Sequence, residues 1–420
     1  MEEMLRIRGG RPLAGTVPVP AAKNSVLPLL AACVLCRGAV QLHGVPRLSD
    51  VRASVELLGG LGVDVQWSGR DLRVQSGEVL CGRVPEGPAR SMRSSVFYLA
   101  PLLHRVGWVT MVLPGGCDLG PRPIDIHLDG LSRMGAQVTL GQDTMTLRAP
   151  RGLCGVDYTL RLPSVGATET LLMAASCAAG TTVLRNAACE PEIRDLADFL
   201  NACGACIQGA GSPVVVIRGA EQLHGADFAP MPDRITVATV AAAVASAGGD
   251  VTVTHCCPEQ LWPVLRVLEQ AGCGIAAGDG RLRIVRAGEL RPVGPVYTGA
   301  YPEFPTDAAP LAAAAVLRAR GRSCFCDRVF ADRFACAAGF KAMGACVCRR
   351  GSDLEIDGVP QLRGAVVTAP DLRGGAALVM AALAARGESW VRGLGHIRRG
   401  YEDLGALLRD LGADVRIASE

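Results

Sequence analysis

The sequence predicts an α/β protein of two domains, each built from three repeats of helix, strand, helix and strand around buried helices. Three observations carry that expectation: a short phrase that returns six times, an interval of about 70 residues between returns, and two kinds of helix in every interval.

The phrase joins the end of an amphipathic run, a glycine and the start of an alternating segment. It reads Leu61-Gly62-Val63-Asp64-Val65, Met134-Gly135-Ala136-Gln137-Val138, Cys203-Gly204-Ala205-Cys206-Ile207, Ala271-Gly272-Cys273-Gly274-Ile275, Met343-Gly344-Ala345-Cys346-Val347 and Leu411-Gly412-Ala413-Asp414-Val415. Glycine suits the position just past a helix C-terminus, where φ is positive, and the alternation suits a half-buried strand. The interval exceeds the usual solenoid periods, so each repeat holds several elements.

Upstream of each phrase lies an amphipathic helix, such as the one from Pro191 to Leu200 with acids in its first turns. Further upstream comes a second helix, rich in alanine and apolar nearly all round. In the first repeat it runs from Asn24 to Leu35, with Pro28 expected near its start, and its counterparts begin at Ser95, Thr168, Ile235, Ala308 and Ala376. Helices of that kind must be covered on every side, so three repeats can close around three of them. Repeats one to three end near Gly225, and repeats four to six begin at Met231-Pro232-Asp233. The opening strands, Leu5 to Ile7 and Thr16 to Val19, precede the first full repeat and can complete the last. The expected domains are therefore residues 22–230, carrying the Cys117 loop, and residues 1–21 joined with 231–420 as a discontinuous C-terminal catalytic barrel.

Composition narrows the function classes. A length of 420 residues suits two domains, and 49% hydrophobic with 20% charged residues is a globular balance. A net charge of +3 leaves no basic stripe, so nucleic acid and anionic membrane are poor partners while small anions stay open. The 17 cysteines show no closely spaced CxxC…CxxC pairing of the zinc type, and most are expected to be small buried hydrophobes in a reducing cytosol. The polar start and the lack of an apolar run of about 18 residues point to a cytoplasmic protein. No cofactor or metal is expected.

Candidate chemistry gathers in two kinds of place. The stretch from Pro114 to Asp125 holds three glycines and three prolines, which exclude a regular helix or central strand, and it carries Cys117, Arg122 and Asp125. A cysteine after Gly-Gly has little cover, and a neighbouring arginine can favour its thiolate or hold an anion beside it. The starts of the buried helices carry the other polar residues: Lys23 and Asn24, Arg93, Ser164-Val165-Gly166, Asp233, Asp307, and Asp371 with Arg373. Any single Asp or Ser there is most simply a helix cap, but helix N-termini that converge also make an anion site. Loops near the surface helices add Glu190, Arg333 and Arg399. So many arginines suit a substrate set bearing several phosphates.

With these segments the chain resembles the enolpyruvyl transferase family, and within it the UDP-N-acetylglucosamine 1-carboxyvinyltransferases. The matching segments are Ala22-Lys23-Asn24, Met92-Arg93-Ser94-Ser95, the Pro114 to Asp125 loop, Ser164 to Thr168, Glu190 to Ile193, Met231 to Arg234, Phe304 to Asp307, Arg328-Val329-Phe330, Asp371-Leu372-Arg373 and Arg399 to Glu402. The resemblance implies two inverse α/β barrels and transfer of an enolpyruvyl group from phosphoenolpyruvate to the 3′-hydroxyl of UDP-N-acetylglucosamine. It implies Cys117 as general acid and Asp307 as base, with Lys23 and Arg399 among the catalytic groups. The phosphoenolpyruvate set would be Lys23, Asn24, Arg93, Arg122, Arg373 and Arg399. The nucleotide-sugar set would be Asn24, Arg93, Arg122, Pro123, Ile124, Asp125, Ser164, Val165, Gly166, Thr306, Asp307 and Val329.

Departures from the family pattern are Ala21-Ala22 before the lysine, Arg398 where an aspartate is usual, and Cys336 where a histidine is common. Rival readings are the shikimate-pathway enolpyruvyl transferase, a weakly active regulatory paralogue, and a repeat protein that only binds.

Overall fold

A computed structural model describes residues 3–78, 80–115 and 124–419. By its internal contacts the chain divides into two compact units. One comprises residues 3–20 and 232–419, and the other the described residues between Ala21 and Met231.

Six helical segments form the centres, three to a unit. In the inserted unit they are α1 (Lys23–Ala32), α2 (Leu99–Val106, extended at its start by the 3-10 turns of Arg93–Tyr98) and α3 (Val165–Ser176). In the other they are α4 (Arg234–Ala247), α5 (Ala309–Ala315, preceded by the 3-10 turn Thr306–Ala308) and α6 (Leu372–Ala384). Every residue of α5 and α6 is buried, as is nearly all of α4, because alanine on all sides lets helices pack closely on one another and on the surrounding sheets. This is the expected class of fold, helices inside and sheets outside.

Two details differ from the sequence reading. Most of the buried segments start a few residues earlier than expected: α3 begins at Val165, not Thr168, because Ser164 caps it through the Ala167 N–H at 3.3 Å. Pro28 lies inside α1 and not at its start, since the helix already begins at Lys23. There its missing N–H forgoes one helical bond, and its ring is absorbed in a buried apolar setting.

The sheets repeat a single order. In the unit containing both termini, Leu13–Pro18 runs parallel to Gly249–Thr254, which pairs antiparallel with Arg281–Arg286, which pairs with Gly274–Gly278. Val296–Tyr297, Arg322–Cys326, Asp353–Asp357 and Cys346–Arg350 follow the same order. So do Val366–Thr368, Glu388–Arg392, Glu3–Arg8 and Asp414–Ser419, where the N-terminal strand supplies the third place. The first strands of the chain thus complete two of the repeats in that unit. In the inserted unit the ends of the segment close the ring likewise: Leu223–His224 and Asp227–Phe228 run parallel to Cys36–Leu42.

The six repeated glycines all have positive φ: Gly62 at 92°, Gly135 at 105°, Gly204 at 100°, Gly272 at 106°, Gly344 at 85° and Gly412 at 89°. Each stands just beyond a helix end, and the next residue commonly donates back to the last turn, as Ala136 N–H does to Leu131 O at 3.0 Å and Ala413 N–H to Leu408 O at 3.0 Å. That closure needs a left-handed residue, which is why the glycine recurs.

Of the 16 described cysteines only six are buried, which corrects the expectation that most fill cores. Cys206, Cys346 and Cys348 occupy outward positions of strands, and Cys81 and Cys154 lie in exposed connections. No described helix is long and apolar enough to cross a membrane.

Candidate active site

In the unit containing the termini, Asp307 sits in the 3-10 turn that leads into α5. Its Oδ2 accepts from Arg373 Nη2 at 2.9 Å and Nε at 3.1 Å, and its Oδ1 accepts from Arg333 Nη2 at 3.2 Å. Both arginine side chains are buried, at 2% and 4% exposure, while that of Asp307 is 27% exposed. The carboxylate is therefore reachable from outside but is held from behind by two guanidinium planes. Burial alone would lower Arg373, yet the Asp307 charge outweighs it and raises its pKa, so the guanidinium stays charged.

Further bonds fix the clamp. Arg333 Nε donates to Thr306 Oγ1 at 2.8 Å, and that hydroxyl donates to Asp327 Oδ2 at 2.6 Å. The other oxygen of Asp327 accepts the Val329 and Phe330 N–H groups at 2.9 and 2.7 Å, shaping the turn that leaves Val329 exposed. Arg373 Nη1 reaches Tyr401 Oη at 3.4 Å, which in turn meets Thr239 Oγ1 at 2.7 Å. Asp233 and Asp371 prove to be helix caps: Asp371 Oδ1 accepts from the Arg373 and Gly374 N–H groups, and Asp233 Oδ1 from Ile235 N–H. Thus Thr306, Asp307, Val329 and Arg373 from the sequence set do meet. Arg399 follows the short helix Leu394–Ile397, two residues before Tyr401. Its neighbour Arg398 pairs with Glu3 at 2.5 Å, which offsets the extra charge there.

The inserted unit holds a second constellation. Lys23 opens α1 and its Nζ lies 2.7 Å from Asp50 Oδ2, a buried carboxylate on the helix Ser49–Gly60. Asn24, the next residue, is exposed. Arg93, half-buried, begins the 3-10 segment before α2. Burial and then the Arg93 charge push His127 down to about 3, so this ring is neutral and shares a 2.9 Å bond with Thr170 Oγ1. A Cβ on Gly166 would meet His127 Cε1 at 3.2 Å, so residue 166 must stay small for the α3 start to lie against that ring. Ile124 precedes the helix Asp125–Arg133, and Asp125 pairs with Arg161. Ser164, Val165 and Gly166 are half-buried at the α3 start. Cys117, Arg122 and Pro123 lie outside the described residues.

Sequence reasoning gave no role to Asp50, His127, Arg161 and Tyr401, and left Arg333 as a loop cation although it is almost fully buried. It also passed over Asp195, which accepts from Ser25 Oγ beside the Lys23-Asn24 pair and from Met231 N–H at 3.3 Å. Burial raises Asp195 to about 6 against its two hydrogen bonds. A raised carboxyl leaves stability intact below the unfolded pKa of about 4 and removes it as pH climbs through 6, by up to about 3 kcal/mol. Asp195→Asn is expected to keep both acceptor contacts and to flatten that loss. Urea unfolding at pH 4 and pH 7 checks it; equal pH slopes in the two proteins would rule the effect out.

With this geometry in view, the sequence matches the EPSP synthase (3-phosphoshikimate 1-carboxyvinyltransferase) model over residues 7–408, and the chain belongs to that family of enolpyruvyl transferases, which are enzymes. Its relatives narrow the class. UDP-N-acetylglucosamine 1-carboxyvinyltransferase 2 of Caldanaerobacter subterraneus subsp. tengcongensis is 41% identical over 98% of this chain and 98% of its own. The similarly named enzyme 1 of Halalkalibacterium halodurans is 42% identical over 98% of this chain and 94% of its own. Among solved structures, the enolpyruvyl transferase NikO from Streptomyces tendae superposes with a TM-score of 0.90 at 25% identity, covering 100% of this chain and 99% of that one. EPSP synthase from Acinetobacter baumannii shares the fold, with a TM-score of 0.75 at 20% identity over the full length of both chains.

Proposed function

We propose that this enzyme transfers the enolpyruvyl group of phosphoenolpyruvate to the 3′-hydroxyl of UDP-N-acetylglucosamine and releases phosphate, as in peptidoglycan precursor synthesis. The observation that carries the acceptor is identity of about two fifths, over nearly all of both chains, to relatives bearing that activity in their names. The clamped but accessible Asp307 supports the chemistry.

The reaction adds an alcohol oxygen to C2 of the enol and a proton to C3, then expels phosphate from C2 as a proton leaves C3. Addition needs a base for the hydroxyl and an acid for the carbon. Asp307 is assigned the first role, because the two guanidiniums fix its orientation and leave one aspect open. An arriving phosphate competes with Asp307 for the donors of Arg373, which loosens the clamp when the substrate is in place. Cys117 is assigned the acid role, and Lys23, Arg93, Arg122, Arg373 and Arg399 stabilise the charge of the tetrahedral intermediate. Asn24 belongs to this group as a neutral donor. Pro123, Ile124, Asp125, Ser164, Val165, Gly166, Thr306 and Val329 are assigned to the nucleotide sugar, where the α3 N-terminus offers N–H groups to an anion.

The test is phosphate release from phosphoenolpyruvate, with UDP-N-acetylglucosamine and shikimate 3-phosphate as alternative acceptors. Turnover with the first and none with the second is expected. The reverse would reassign the enzyme to the shikimate-type reaction.

A further inference from the structure

On the strand Arg322–Cys326, Cys324 and Cys326 both point outward and are half-buried, with Ser323 and Phe325 turned to the core. Their sulfurs lie 3.7 Å apart. The proposed reaction uses neither thiol.

We propose that Cys324 and Cys326 form a chelating dithiol site for a divalent thiophilic cation of the zinc type, completed by carboxylate and water oxygens. Two sulfurs each about 2.3 Å from a tetrahedral ion lie about 3.8 Å apart, close to the spacing that these thiols already have. The adjoining strand supplies oxygen donors in register: Glu355 stands opposite Cys324 and Asp353 opposite Cys326, on the same outward face. Asp357, the third carboxylate of that strand, is engaged by Arg322 at 2.9 and 3.3 Å. Arg328 is directed to the Tyr297 ring at 4.1 Å, while Arg350, exposed and opposite Asp353 in register, has to give way as the ion binds. Among the described residues no group of three such donors is placed to hold a metal ion, so the oxygens must swing in as the ion binds. Binding releases two thiol protons to solvent and changes no oxidation state.

The competing fate of two adjacent thiols is a disulfide, and the strand opposes it. Residues two apart on one strand have Cα atoms about 6.6 Å apart, at the upper end of what a disulfide spans, and side chains leaving the strand side by side keep their Cβ atoms at about the same spacing, whereas a disulfide needs Cβ atoms about 3.8 Å apart. An ion between the sulfurs spans the wider gap without bending the strand. Cys346 and Cys348 form a second outward pair two strands away, about 9.6 Å across the sheet, too far to share the ion.

The experiment uses the full-length protein, reduced and stripped of metal, titrated with Zn2+ against a chromophoric chelator and followed by native mass spectrometry. The wild type and C346S/C348S are expected to hold one ion that C324S, C326S and C324S/C326S hold at least about tenfold more weakly. Serine is close in size to cysteine and the positions are partly exposed, and circular dichroism confirms folding of each variant. An unchanged affinity in C324S/C326S overturns the site. Ready closure of a Cys324–Cys326 disulfide by dilute hydrogen peroxide overturns the spacing argument on which it rests.

Discussion

Asp307→Asn is expected to lower turnover by a factor of about 100 or more while UDP-N-acetylglucosamine still binds. The wild-type carboxylate offers one oxygen to Arg373 and the other to Arg333. An amide keeps one acceptor but turns an NH2 group toward the second guanidinium, so one contact becomes a clash of donors and the negative charge is lost. Two effects follow. The base disappears, which acts on the chemical step, and two buried cations lose their shared counter-ion, which acts on stability. Removing one partner of a buried pair costs about 3–5 kcal/mol, and the 27% exposure of Asp307 places this case at the lower end. Measuring kcat, KM and urea unfolding together separates them: the chemical role predicts a fall in kcat with the folded fraction near one. Near-normal turnover would move the base role to another residue and leave Asp307 as a counter-ion only.

The parts of this architecture that sequence revealed are those set by local physics. A left-handed residue after a helix is needed six times, and glycine marks it each time, from Gly62 to Gly412. An alanine-rich helix without a polar face has nowhere to lie but a core, and α4 to α6 announce themselves in that way. Pairing is different, because it depends on elements far apart in the chain. Arg373 reaches Asp307 across 66 positions and Ser25 reaches Asp195 across 170, and nothing near either residue advertises the partner. The same limit explains Arg333, which looks like a loop cation until its burial against Thr306 and Asp307 is seen. The cysteines were misjudged for another reason. Composition says that cysteine is commonly buried, but alternation decides the face, and Cys346-Val347-Cys348 places valine inward and both thiols out.

Fosfomycin, an epoxide that resembles phosphoenolpyruvate in size and charge, is expected to leave one covalent adduct, on Cys117, with labelling enhanced by UDP-N-acetylglucosamine. Opening the epoxide requires a nucleophilic sulfur beside a docked phosphonate. Ten of the described thiols illustrate how one requirement or the other fails. Burial pushes Cys33 and Cys336 up, a bond with Cys203 and then burial push Cys36 up, and burial holds Cys177 at about 12 and Cys273 at about 11, so these carry almost no thiolate at neutral pH. Cys81, Cys154, Cys206, Cys346 and Cys348 are exposed and open to general alkylation, whereas the proposed site joins the Cys117 thiol to the cations assigned to phosphoenolpyruvate. A maleimide control should therefore label several exposed thiols where fosfomycin labels one. Cys117→Asp is expected to retain turnover and lose the adduct, because a carboxylic acid can still deliver a proton to C3 of the enol. Peptide mapping after stoichiometric treatment distinguishes the outcomes. Adducts spread over the exposed cysteines would remove the docking argument, and an inactive Cys117→Asp with a single adduct in the wild type would remove the acid role while leaving the site in place.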